Sequence, residues 1–262
     1  MRDNMANVRG DLMAGYLKTS DIAKAVGVHV NTVRLYEARG YLSPVSRTPS
    51  GYRRFTPTHL EQMRLAHLAL RGPHTGGRQV ALELVKCAAD GDLGMAMELA
   101  YTYLTNVRTE RTHAEAAVEF LERWAQGQTL DTTRHTLSIG QAARHLGVSV
   151  DQLRNWDRNG LLNVPRDPKT NYRLYSAVEL GRLRVIRMLR RSGYSVMAIL
   201  RMLRRFDAGE TEQLREALDT PGMNEDFTTV ADRWITTLTK DEERARALIR
   251  QITVMINAAA GQ

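Results

Sequence analysis

Two segments of this 262-residue chain carry basic, aromatic and amide side chains in an arrangement suited to binding nucleic acid. An arginine guanidinium can hold a phosphate or pair with guanine, and amide and aromatic side chains can contact base edges and backbone. We predict no catalytic residue and no cofactor. The predicted DNA contacts are His29, Asn31, Thr32, Arg34, Tyr36, Tyr52, Arg53 and Arg54 in the first segment, and Ser149, Gln152, Arg154, Asn155, Trp156, Tyr172 and Arg173 in the second.

The net charge of +8 is concentrated around these two segments. Residues 17–71 contain nine basic and three acidic side chains, whereas residues 135–206 contain fourteen and four, so the remainder of the chain is acidic. Separate basic blocks of domain size favour a polyanionic partner, most often nucleic acid, although a basic run can also be an ordinary solvated face. A membrane-binding surface would need a basic helix with a strongly apolar face, which these blocks lack.

Composition and motifs argue against several other classes of protein. No apolar run is long enough to cross a bilayer, and the N-terminus lacks the apolar core of a secretory signal, so we expect a cytoplasmic, nucleoid-associated protein. Cys87 is the single cysteine, too few for a disulfide or an iron–sulfur cluster, and the histidines are badly spaced for a helical metal site. Phosphate-binding and hydrolase motifs are missing from the sequence, so no enzyme is predicted.

The two segments are copies of one another, 120 residues apart and without a gap. The sequence GVHVNTVRLYEARGYL (27–42) aligns with GVSVDQLRNWDRNGLL (147–162), and the alignment continues through Tyr52-Arg53 and Tyr172-Arg173. Two copies are too few for a solenoid and indicate a duplicated domain.

Each copy has the pattern of a helix-turn-helix followed by a small hairpin. A Ser- or Thr-led helix ends at Gly27 or Gly147, and a second helix follows after a three-residue turn, where Asn31 or Asp151 can cap it. A proline-containing stretch then leads to alternating aromatic and basic residues, which predict a β-hairpin wing. The outward face of the second helix would enter the major groove, and the wing would contact phosphates.

These motifs resemble the winged helix-turn-helix of the mercury-resistance-regulator (MerR) family of bacterial transcription regulators. The resemblance implies a mainly α fold with two such domains, each followed by a long helix able to form an antiparallel coiled coil. It also implies binding and distortion of promoter DNA, with RNA polymerase as a partner. The second copy keeps the family pattern through Gly193, Tyr194 and Ser195, whereas the first copy departs from it over residues 71–77.

The repeat and the composition predict five regions along the chain. They are an N-terminal tail (1–16), a first winged domain (17–72), a helical arm with linker (73–134), a second winged domain (135–206) and a C-terminal arm (207–262).

Both arms carry an apolar seam with steps of three and four residues, which indicates helix–helix pairing. The seams are Met97, Ala100, Leu104, Val107, Arg111, Ala114, Val118, Leu121 and Ala125, and Ala231, Trp234, Leu238, Asp241, Ala245, Leu248, Ile252 and Met255. Pairing within one chain would give a monomeric pseudo-dimer, and pairing between chains a homodimer; the first is slightly favoured. The opposite charges that interrupt the seams suggest an Arg111–Asp241 contact.

Aromatic residues in the acidic regions suggest a site for a small organic effector, although rings at helical spacing also fit a core. These residues are Tyr101, Tyr103, Trp124, Phe227 and Trp234. The leading hypothesis is thus a sequence-specific transcription regulator acting at a promoter. The alternative is an architectural or recombination accessory protein of the excisionase kind, which can share the winged unit.

Overall fold

The computed structural model describes residues 16–221 and 230–260, with the side chains of Val230 and Ala231 excepted. The chain forms two compact units. Unit 1 comprises the described parts of Met1–Arg108 and Lys240–Gln262, and unit 2 comprises those of Thr109–Thr239. The described residues include no helix with the length and apolarity that a bilayer crossing requires.

The first copy folds as predicted in unit 1. Helix α1 ends where Gly27 takes a left-handed conformation (φ +74°), which lets the chain turn into α2. A short hairpin follows, and it pairs Ser46 with Arg54. The elements of this copy are α1 (Thr19–Val26), α2 (Val30–Ala38), β1 (Ser46–Arg47), β2 (Arg53–Arg54) and α3 (Pro57–Leu70).

The second copy repeats this order in unit 2. Its wing is held by single bridges, Leu137 with Tyr175 and Arg166 with Arg173, rather than by a two-residue ladder. Leu17 and Phe55 form the bridge equivalent to the first of these in the first copy. The helices are α6 (Ile139–Leu146), α7 (Val150–Arg158) and α8 (Ala177–Arg191).

Helices outside the two copies complete each unit. In unit 1, α4 packs against α3 after the divergent turn at residues 71–77, where His74 has a φ of +53°. In unit 2, α9 and α10 pack against one another, and Ser195 caps α9. These helices are α4 (Arg78–Ala89), α5 (Leu93–Ala125), α9 (Val196–Asp207), α10 (Leu214–Asp219) and α11 (Trp234–Ala260), the last preceded by a 3-10 turn (Val230–Arg233).

The seam of the long helices is buried within each unit. In unit 1, Ala100, Leu104 and Val107 of α5 share a core with the α11 residues Leu248 and Ile252. In unit 2, a core likewise contains Val118 and Leu121 of α5 together with Leu238 of α11. Packing therefore groups the second half of α5 and the start of α11 with the second copy.

Asp241, which interrupts the α11 seam, is bound by groups of its own unit. Its fully buried carboxylate accepts a hydrogen bond from the Thr75 N–H at 2.9 Å and is also bound by the Thr75 hydroxyl and the Arg244 guanidinium. The turn at 71–77 thus supplies donors that a buried carboxylate requires. In unit 2, Arg111 forms an ion pair with Glu115 at 2.9 Å. The Arg111–Asp241 contact stays a prediction.

A second buried carboxylate, Asp131, ties the segment before the second copy to its helices. It accepts hydrogen bonds from His145 at 2.7 Å and from the Arg184 Nε at 3.0 Å, and it also binds Thr133. Burial alone would raise the pKa of Asp131, but the hydrogen bonds from Thr133, His145 and Arg184 outweigh it and lower the pKa.

Candidate nucleic-acid interface

The second helix of each copy, which we call the recognition helix, has one buried and one exposed face. In α2, Val33 is fully buried, whereas Asn31, Arg34 and Leu35 are exposed and Thr32 is half-buried. His29 caps this helix, since its Nδ1 accepts the Asn31 N–H at 3.2 Å. The cap fixes the imidazole at the start of the exposed face.

The recognition helix of the second copy, α7, repeats this division. Leu153 is buried, and Asp151, Gln152, Arg154 and Asn155 are exposed. Ser149 takes the capping role of His29, and its hydroxyl accepts the Gln152 N–H at 3.0 Å. Equivalent positions of the two copies therefore present their side chains to solvent in the same way.

The aromatic residue of each recognition helix lies on its inner side. Trp156 is 4% exposed and belongs to the core of unit 2, so the prediction that it contacts DNA is corrected to a core position. Trp156 lies three positions after buried Leu153, so both side chains are on one helix face. Tyr36 is half-buried and packs edge-on against Tyr41, with ring centroids 5.5 Å apart; burial raises the pKa of its hydroxyl.

The wings expose one aromatic ring each. Tyr52 is 70% exposed and Tyr172 is 74% exposed. Each follows a residue in the left-handed conformation, Gly51 (φ +85°) or Asn171 (φ +59°). Glycine and asparagine tolerate this backbone best, so the two wing tips turn alike in spite of different sequences.

The wing arginines are bound to the recognition helices, a link that we did not predict. Arg53 forms an ion pair with Glu37 of α2, and the Arg173 Nε donates to Asp157 of α7 at 3.0 Å. All four side chains are less than one-third exposed. The common offset of 120 residues and the acid three positions after Arg34 and Arg154 were the available sequence signals. Arg54, the remaining predicted wing contact, lies over the ring of Tyr16 at 4.1 Å.

The two central arginines differ in their surroundings. Arg154 is 57% exposed and pairs with Asp151 one turn earlier at 3.1 Å. Arg34 is exposed and has no ion-pair partner within the part of the chain that the structure describes. Asn31, which occupies the position of Asp151 in the first copy, is neutral.

The predicted effector residues are divided between the two units. Tyr103 is 1% exposed in the core of unit 1, whereas neighbouring Tyr101 is 54% exposed. In unit 2, Trp124 stacks on Phe206 with ring centroids 4.1 Å apart, and Trp234 packs directly over Gly193. Phe227 lies outside the described residues. The prediction for Tyr103 is corrected to a core position, where burial and nearby Asp241 raise its pKa to about 12.

Metal-binding side chains are dispersed over residues 16–221 and 230–260, with no group of three or more suited to an ion. Burial, followed by the charges of Asp92, Asp90 and Glu83, raises the pKa of the Cys87 thiol. A raised pKa disfavours the thiolate that reacts with metals and oxidants.

Comparison with known families agrees with the two winged domains. The family described as MerR family regulatory protein matches residues 18–55, and that described as MerR HTH family regulatory protein matches residues 137–205. The chain carries two tandem MerR-type domains. The mainly helical fold predicted for such a protein is confirmed.

Curated relatives with MerR-type domains match one part of the chain. The mercuric resistance operon regulatory protein of Pseudomonas fluorescens is 31% identical over 84 residues, which cover 32% of this chain and 58% of the relative. The HTH-type transcriptional regulator CueR of Salmonella typhi is 34% identical over 71 residues, 27% of this chain and 46% of the relative. The chain thus spans about half the length of these relatives. No solved structure matches it significantly.

Proposed function

We propose that this chain is a sequence-specific DNA-binding transcription regulator with two unlike reading heads on one polypeptide. The observation that carries the proposal is the repeated exposure of the recognition helices, with Arg34 and Arg154 on their outer faces. Exposed Tyr52 and Tyr172 on the wings provide a second contact beside each helix. The names of the mercuric resistance and CueR relatives, both regulators, support the same function.

The physical basis of binding is electrostatic and geometric. Basic residues concentrated in the two copies release counterions from the phosphate backbone, and a helix of this width fits the major groove. By family resemblance, we propose that binding distorts promoter DNA, so that RNA polymerase engages a site whose elements are badly spaced. A small-molecule effector remains part of the proposal without an assigned pocket.

We further propose that the active species is a monomer. The apolar seam of α5 shares a core with α11 of the same chain in each unit, so no second chain is required to cover these residues. Sedimentation at micromolar concentration tests this point. We expect a species of 29.6 kDa, and one of twice that mass would establish the homodimer.

Footprinting on the DNA upstream of the protein's own gene tests the function. We expect one protected stretch between promoter elements, with a Kd that rises steeply with salt concentration. The double variant Arg34→Ala with Arg154→Ala should weaken binding strongly. The double variant Arg78→Ala with Lys86→Ala, on a helix outside both copies, also removes two exposed positive charges and serves as the matched control. Uniform coverage without a preferred site would instead favour the architectural alternative.

A further inference from the structure

We propose that the two recognition helices read different bases, so that the DNA site consists of two unlike half-sites, one selected through Leu35 and the other through Asp151. This inference rests on the proposed DNA-binding function and extends it to specificity. It follows from comparing the exposed side chains of the two copies position by position.

Side chains common to both copies cannot distinguish one half-site from another. Arg34 and Arg154 occupy equivalent exposed positions, and so do the wing residues Tyr52 and Tyr172. These groups provide contacts that both heads share, to phosphate or to guanine. Discrimination must therefore come from exposed positions at which the copies differ. They include His29 and Ser149, Asn31 and Asp151, and Leu35 and Asn155, whereas Thr32 is half-buried and its counterpart Gln152 is exposed.

Leu35 is an apolar residue on an otherwise polar face. Its side chain is 45% exposed, next to Arg34 and on the opposite side of the helix from buried Val33. The major-groove edge of thymine carries a methyl group, the one apolar feature among the four base edges. An exposed leucine at this place favours thymine, whereas Asn155 at the equivalent position favours adenine through its amide.

Asp151 is an acid on a surface that approaches a polyanion. Its side chain is 88% exposed, and its carboxylate forms an ion pair with the Arg154 guanidinium at 3.1 Å. A carboxylate near phosphates is unfavourable unless a base donor compensates it, and the cytosine amino group is the donor that a carboxylate accepts. The same carboxylate positions Arg154 to donate to a neighbouring guanine. Asp151 thus makes the second recognition helix require cytosine. Asn31, at the equivalent position of the first recognition helix, imposes no such requirement.

Selection of bound duplexes from a randomised pool by the full-length protein tests the inference. We expect the enriched sequences to contain two half-sites that are not related by symmetry, one with a thymine read by Leu35 and the other with a cytosine read by Asp151. Asp151→Asn should reduce the preference for cytosine about tenfold or more in one half-site and leave the other unchanged. The reciprocal variant Asn31→Asp should create a cytosine preference in the opposite half-site.

Leu35→Asn provides an independent test, because it places in the first recognition helix the residue found at position 155 of the second. We expect thymine to be replaced by adenine in one half-site only. Enrichment of a palindrome, or base preferences that survive both Asp151→Asn and Leu35→Asn, would overturn the inference and leave DNA binding intact. Failure of the wild-type protein to retain any duplex at low salt would overturn the proposed function itself.

Discussion

The Arg173 guanidinium, on the wing of the second copy, donates to the Asp157 carboxylate, on its recognition helix, at 3.0 Å through Nε. The first copy has the same link between Arg53 and Glu37. A wing that is bound to the recognition helix holds its exposed tyrosine at a fixed place relative to that helix. The two elements therefore form one continuous surface.

Breaking this link should weaken DNA binding more than it weakens the fold. We expect Asp157→Ala to reduce affinity for the selected site severalfold and to lower the free energy of unfolding by only about 1 kcal/mol, since the pair is partly solvated. A double-mutant cycle with Arg173→Ala, measured by fluorescence anisotropy, isolates the coupling. If Arg173 contacts phosphate independently of Asp157, the two losses in binding will simply add.

Gly193 lies against the indole of Trp234, and an added side chain there should be costly. A Cβ at this position would come within 2.6 Å of the ring, and φ is +94°. Gly209→Ala is the matched control, because its φ is +83° but no atom lies within 4 Å of a Cβ. We expect losses of about 1 kcal/mol for Gly209→Ala and about 2–4 kcal/mol for Gly193→Ala, measured by chemical denaturation. Equal losses of stability in the two variants would show that the contact with Trp234 does not contribute to the cost of Gly193→Ala.

The Asp131 carboxylate should make the stability of the protein depend on pH. Its pKa is lower in the folded state than in the unfolded state, so its contribution is complete above the unfolded value of about 4 and is lost as the pH falls toward the folded value. We expect Asp131→Asn to cost about 2 kcal/mol at pH 7, because hydrogen bonds to a charged acceptor are lost. The difference from wild type should shrink as the pH falls below about 4. Urea denaturation across pH 3–7 measures it, and a constant difference would contradict the expectation.

Trp156 should influence stability rather than base preference. Its side chain fills the core of unit 2, so we expect Trp156→Ala to lower the free energy of unfolding by about 3–5 kcal/mol. Trp156→Phe keeps an aromatic ring in the core and should retain the wild-type half-site in pool selection. A changed base preference in Trp156→Phe would contradict the core assignment and indicate that Trp156 contacts DNA.

The sequence predicted the repeated unit well because its signals are local. Glycine turns and the 120-residue offset indicate short helices and wings without reference to distant parts of the chain, although the caps of the recognition helices are His29 and Ser149 rather than Asn31 and Asp151. The inner position of Trp156 was also accessible, since it lies three residues after Leu153. What the sequence could not provide was the partner of each buried charge. Asp241 binds Thr75, 166 residues away, through a turn that departs from the family pattern.

The aromatic residues of the two helical arms also could not be assigned partners from the sequence. The helical spacing predicts that Tyr103 and Trp124 lie on the seams or near them. It cannot distinguish a core position from a ligand-binding position, because both use the same residue types. Their actual neighbours, Asp241 for Tyr103 and Phe206 for Trp124, come from segments far along the chain. The candidate DNA contacts were easier to predict, because exposure on a short capped helix follows from its own periodicity.

The shared core of α5 and α11 in unit 1 has a consequence for biosynthesis. The described residues 240–260 belong to the same unit as the first copy, so the core of that unit cannot be completed until this segment has left the ribosome. Until then, Leu104 and Val107 present apolar surface that a nascent chain must keep from aggregating. Termination of translation before residue 240 would therefore leave this core incomplete, although every residue of the first winged domain had been translated.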